Sequence, residues 1–186
     1  VGVNCMSPSE RNSRFANSGI VVETRIEDAA AYAKHGVLAG LYMQMELESL
    51  AFKNGGNGVV APAQRLADFV QGKISQDLPL TSYHPGVQSS PMHQWLPGFF
   101  SKRLQEGFKT FNGKMRGFLT NEALILGVES RTSSPVRIPR DSNTLQHPQI
   151  EGLFPCAEGA GYAGGIVSAA IDDERVADKV ADLAKH

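Results

Sequence analysis

At 186 residues the chain is long enough to bury one good core or two small ones, and 41% hydrophobic with 20% charged residues is the composition of a globular protein, neither disordered nor membrane-embedded. A formal net charge of −1, with Lys and Arg scattered, provides no basic stripe to track a phosphate backbone and argues against nucleic-acid binding. Cys5 and Cys156 have neither metal-ligand spacing nor the numbers of a disulfide framework, and no apolar run approaches the roughly 20 residues that span a bilayer, so zinc, iron–sulfur and membrane roles fall away and a cytoplasmic address is expected.

The chain opens on VGVNCMSPSER without an initiator methionine and reads as a piece of something longer. Residues 18–25, SGIVVETR, are rich in β-branched side chains and predict a strand; IEDAAAYAKHG predicts a short helical or irregular connection. The stretch GVLAGLYMQMELESLAFKNGGNG then predicts a helix. Leu38, Leu41, Tyr42, Met45 and Phe52 recur by threes and fours on one face, and Gly55 and Gly56 end it. Gln44 and Glu48 stand four apart beside that face as a half-exposed polar pair. Residues 61–72 predict a turn followed by a short amphipathic helix, and the proline-rich, aperiodic residues 73–96 an ordered loop or lid. His84 lies on that lid as a candidate acid or base, because histidine titrates near neutral pH; a merely solvated loop histidine is the plainer reading.

A second helix is predicted over residues 96–112. Pro97 marks its start, Phe100, Leu104, Phe108 and Phe111 point inward, and Lys102, Arg103, Glu106 and Lys109 point outward. ALILGV, residues 123–128, predicts a strand, and ESRTSSPVRIPRD continues extended, with Pro135 and Pro139 confining it to an edge or to irregular backbone.

Polar chemistry gathers in two places. Arg131, Thr132, Ser133, Ser134, Arg137 and Arg140 set three cations and three hydroxyls within ten residues, with Arg137 the favoured anion partner; bracing of loop carbonyls is the competing role. Then GLFPCAEGAGYAGGIVSAAID, residues 152–172, runs from an apolar segment through a glycine loop into a helical stretch. Gly159, Gly161, Gly164 and Gly165 let backbone approach a ligand, and amides opening a helix near Ile166 offer donors and the positive end of its dipole, as a phosphate or an electron-rich cofactor edge requires. Leu153, Phe154, Ile166, Val167, Ala169 and Ala170 predict that this loop rests against a core, with Cys156 beside it a small buried residue in preference to the alternative, a redox-active thiol. Residues 159–164 satisfy GxGxxG, yet only 22 residues follow Gly164, too few for a βαβ unit of about 30, so the motif reads as a closing contact to a cofactor. A tight strand-to-helix turn is the structural alternative.

VNCMSPSERNSRFANSGIVVE, APAQRLADF, GVESRTSSPVRIPRD and GLFPCAEGAGYAGGIVSAAID together resemble, in order and over nearly the whole chain, the C-terminal half of a family of uncharacterised bacterial FAD-dependent dehydrogenases, flavoproteins of the two-dinucleotide-binding-domain class. The resemblance implies an α/β fold, α+β within this stretch. Residues 1–23 and 129–186 would be segments of a discontinuous FAD-binding domain, and residues 24–128 an inserted, helix-rich substrate domain. It also implies FAD as cofactor, NAD(P)H as a candidate electron donor and a small-molecule substrate. Glu158 and Gly159 would approach the ribityl and pyrophosphate region, and Gly164, Gly165 and Ile166 the pyrimidine side of the flavin, with Gly161 in the same loop. Thr132, Ser133, Ser134 and Arg137 would form the flavin- or substrate-facing segment, and Arg131 joins His84 as a candidate for catalysis. The sequence departs from the family at Ala157 and Asp173, where glycine is expected, and the first dinucleotide motif of such proteins is not in it. An N-terminal half is therefore expected to complete the FAD site. Two readings of another class remain open: a cofactor-free structural or binding fragment, and an anion-binding domain that uses the glycine loop.

Overall fold

The computed structural model describes residues 9–183. By packing it divides into two units, one of residues 9–30 and Met45–Glu129, the other of Ala31–Gln44 and residues 130–183. Helices together with a small mixed sheet make an α/β arrangement.

The first unit is built on a three-stranded sheet with β1 (Ala61–Arg65) in the centre, β2 (Val87–Ser89) parallel to it on one side and β3 (Leu124–Leu126) antiparallel on the other. The ALILGV strand is where periodicity places it. The turn expected at residues 61–65 is instead the central strand, and Pro62 explains why: proline reads as a breaker, since it has no amide for the ladder. Here its carbonyl accepts from the Gly127 amide at 3.2 Å, while Ala61 N donates to Gly86 O at 3.0 Å and Ser90 N to Ala63 O at 2.9 Å, so neighbouring residues carry the pairing. Residues 73–96, expected as loop or lid, also contribute the β2 edge and a short helix.

Helix α1 (Ala39–Asn54) ends at Gly55 and Gly56 as its sequence predicts; a Cβ at Gly55 would collide with Val60 O. Its buried face is a different one. Met43, Leu47 and Ala51 are buried, whereas Tyr42, Met45 and Phe52 are 39%, 54% and 43% exposed. Apolar residues surround this helix, so a row spaced by fours competes equally with the row read from threes and fours.

Three further helices close the core of the first unit: α2 (Leu66–Gln71), α3 (Met92–Trp95) and α4 (Gly98–Lys114). Leu47, Leu66, Phe69, Val70, Met92, Leu96 and Phe108 form one buried cluster. On α4, Phe100, Leu104 and Phe111 pack against it while Lys102, Arg103, Glu106 and Lys109 are exposed, matching the predicted faces. Phe108 meets Phe69 edge-on at 6.2 Å, a preferred aromatic geometry.

Residues 18–25 form no strand. They find no ladder partner among the described residues; instead Arg103 on α4 donates to Glu23 O at 3.0 Å and clamps Asp28 through both nitrogens. Ile26–Leu38 follows as 3-10 turns, broken at Gly36 where φ is 56°.

In the second unit the long helix α5 (Ile166–Leu183) buries Asp172 and Val176. It runs unbroken through Asp173, the position where the resemblance expected glycine. The expectation that the glycine loop lies against a core is not met on its flanks: Leu153, Ile166 and Val167 are 40%, 91% and 72% exposed. No helix among the described residues is long and apolar enough to cross a membrane.

Candidate functional site

The two polar stretches meet in the second unit. Ile138 N donates to Ala160 O at 3.1 Å, Tyr162 Oη to Ile138 O at 3.0 Å, and Ser134 Oγ to Val136 O at 2.7 Å and Gly159 O at 3.3 Å. This contact needs Gly161. Its φ is +83°, and an added Cβ would sit 2.8 Å from Val136 O and 3.1 Å from Arg137 Cα, so the loop's own packing demands this glycine. From α1, Gln44 Nε2 donates to Ser130 O at 2.5 Å and Gly40 admits Pro135, which holds the start of the arginine-bearing segment. Gln44, read from sequence as half of a polar pair with Glu48, thus braces the site's backbone.

Arg140 is a strut. Its guanidinium donates to Asp172 through Nη1 at 2.9 Å and Nη2 at 2.6 Å, and to Pro155 O at 2.8 Å; the two side chains are only 7% and 8% exposed. Hydrogen bonding to Arg140 holds the Asp172 carboxyl below the usual carboxylate range, opposed by burial and helped by the Ala157 amide, which donates to Asp172 at 2.9 Å. The same bond pushes the Arg140 pKa up. Cys156 is half-buried, and its thiol is pushed up first by its hydrogen bond to Asp173 and then by burial, which disfavours the nucleophilic thiolate.

Arg137 is exposed. Its guanidinium carbon lies 4.2 Å from the Tyr162 ring centre, and among the described residues it has no carboxylate in ion-pair reach. It opens on a cavity of 530 Å3 that Arg140, Tyr162 and Arg175 also line. Tyr162 and Arg175 were not singled out from sequence, because a tyrosine inside a glycine loop and an arginine on an amphipathic helix each look ordinary alone.

On the loop itself, a Cβ at Gly159 or Gly164 would meet nothing within 4 Å, and α5 opens with no acid in its first turn. Arg131, Thr132, Ser133 and Glu158 are exposed, and Gly165 is half-buried. His84 is exposed on a loop of the first unit. A histidine not marked in the sequence, His93, is engaged there: its Nδ1 faces Gln64 Nε2 at 2.8 Å and burial pushes its pKa down, so a neutral ring accepts the amide proton inside a packed polar contact. Among the described residues no group of His, Cys, Asp and Glu is arranged to hold a metal.

The family model described as FAD-dependent protein, C-terminal domain-like, matches residues 1–132. The chain belongs to that family. This FAD-dependent protein C-terminal domain-like chain is also 38% identical over 179 residues to an uncharacterised protein of Clostridium beijerinckii, an alignment that covers 95% of the chain and 33% of the relative. It therefore spans about a third of the length of the curated relative it matches. Its glycine loop lies beyond the family match and within the longer alignment. The residues present suit a flavin: bare backbone at Gly159 and Gly164, the start of helix α5, and the exposed apolar side chains Ile166 and Val167 on its first turn.

Proposed function

We propose that this chain is the C-terminal part of an FAD-dependent oxidoreductase of the two-dinucleotide-binding-domain type, acting on a small molecule. The open backbone of Gly159 and Gly164 in the loop that leads into α5, in a chain of an FAD-dependent family, carries the reading. Bound FAD would supply the hydride acceptor or donor. The chain's own residues would bind and orient it. First-turn amides of α5, with the dipole behind them, favour the negative charge that reduced flavin places on its pyrimidine edge. Ile166 and Val167 would exclude water from that edge, and Glu158 would face the ribityl side. Of the three hydroxyls, Thr132 and Ser133 are exposed and suited to meet cofactor or substrate, whereas the Ser134 hydroxyl already donates within the loop. Residues 129–186 with 1–23 would serve FAD and residues 24–128 the substrate. Further chain, of the extent by which the relative exceeds this one, would complete the cofactor site.

The test is Gly164→Val in the longer protein. Space is open at Gly164 and its φ is not in the left-handed region, so valine is accommodated by the protein itself and obstructs only a ligand. We expect loss of the visible flavin bands with the fold retained, as read from far-UV circular dichroism. Full flavin content in that variant removes this reading and leaves the loop a turn.

A further inference from the structure

We infer that the cavity beside the glycine loop is a binding site for an oxyanion, the phosphate or carboxylate of a small molecule, held by Arg137 and Arg175. The claim goes beyond the flavin reading and does not depend on it. It begins with charge. Arg137, Arg140 and Arg175 all line one cavity, yet Arg140 is matched by its two-pronged bond to Asp172 and brings no net charge. Arg137 and Arg175 have no carboxylate in ion-pair reach among the described residues; Arg175 acts on Asp172 only through its field. Two positive charges without a carboxylate partner thus line one cavity, and an entering anion would be attracted by both.

The wall is also pre-organised. Tyr162 is fixed by its hydroxyl on Ile138 O at 3.0 Å and its amide on Ala157 O at 2.9 Å. The Arg137 and Arg140 guanidinium carbons lie 4.2 and 3.6 Å from its ring centre, and such a contact holds the Arg137 guanidinium while leaving its edge donors free, whereas those of Arg140 are taken by Asp172 and Pro155. The Asp141 carboxylate accepts from Asn143 N and Thr144 N, both at 2.8 Å, which locks the turn that carries Ser142, another residue of the cavity lining. Leu145, also in the lining, is 3% exposed. Guanidinium edges and a hydroxyl select a planar or tetrahedral oxyanion over a neutral ligand. The volume of 530 Å3 falls within the roughly 300–1,000 Å3 of small-molecule sites, so the anionic group would belong to a larger organic molecule.

The experiment is calorimetric titration of the protein with inorganic phosphate and with succinate, at ionic strength held constant with sodium chloride. Arg137→Gln, Arg175→Gln and, on the exposed face of α4, Lys109→Gln are compared with the unaltered chain, and melting temperatures without ligand establish that each variant is folded. We expect saturable binding of at least one probe, weakened by roughly tenfold or more in either arginine variant and unchanged in Lys109→Gln. Added FAD, in the longer protein that holds the completed cofactor site, distinguishes the sources. Competition with the probe makes the oxyanion the cofactor's own pyrophosphate; simultaneous binding makes it a separate metabolite's, and either agrees with the proposal. Absence of saturable binding for both probes, or equal weakening in all three variants, overturns it. Because flavin content is read separately from the same samples, failure of the FAD reading leaves the anion result standing.

Discussion

Ala157 holds a left-handed backbone, φ 55°, at the position where the resemblance expects glycine. An L-residue with a Cβ is strained there by about 1–2 kcal/mol, part of which is offset because glycine is freer when unfolded. Ala157→Gly should therefore raise stability by up to about 1 kcal/mol, read from urea unfolding midpoints; a loss would mean that the strain is relieved elsewhere. The Arg140–Asp172 pair, by contrast, is buried and fully bonded, so removing one partner strands a charge. Its linkage to pH has a definite sign. Because the folded-state pKa of Asp172 lies below its unfolded value, its contribution is complete above about pH 4 and is lost as pH falls through the lower, folded pKa. Asp172→Asn should cost about 3 kcal/mol at neutral pH and flatten the stability profile below pH 4, measured by denaturation across pH; an unchanged acid limb would assign that limb to other carboxylates.

Elements differ in how visible they are before folding. Helix α4 was legible to its individual faces because a single apolar stripe repeats against charged residues. Helix α1 was legible in extent but not in orientation, since Tyr42, Met45 and Phe52 form as good a row as Met43, Leu47 and Ala51. Energetics should separate the two: Phe108→Ala on α4 opens a cavity in the aromatic cluster and should cost about 3–5 kcal/mol, whereas Phe52→Ala should cost under about 1 kcal/mol. Comparable losses in chemical denaturation would show that Phe52 is covered in the working protein. Strands were harder. Residues 18–25 have strand composition without a ladder partner among the described residues, and β1 has a partner on each side despite Pro62, because a ladder depends on what lies alongside and not on local preference.

At the scale of the molecule, the chain is about a third of its relative, and a cofactor site assembled from distant segments need not be complete within it. For that reason the Gly164→Val comparison belongs in the longer protein, where flavin retention reports on the loop and not on missing walls. The candidate site was partly legible. Glycine spacing and clustered cations marked both stretches, and Arg137 was named as an anion partner from residue type alone. Arg140 looked equivalent until Asp172, 32 residues later, claimed it. Backbone freedom at glycines, helical period and the sign of each charge are properties of neighbours along the chain, so the order of residues settles them before any fold exists. Which arginine is neutralised, which glycine serves packing and which stays bare, and that Tyr162 and Arg175 share a cavity with Arg137 are consequences of contacts across tens of residues, and such contacts exist once the backbone has closed.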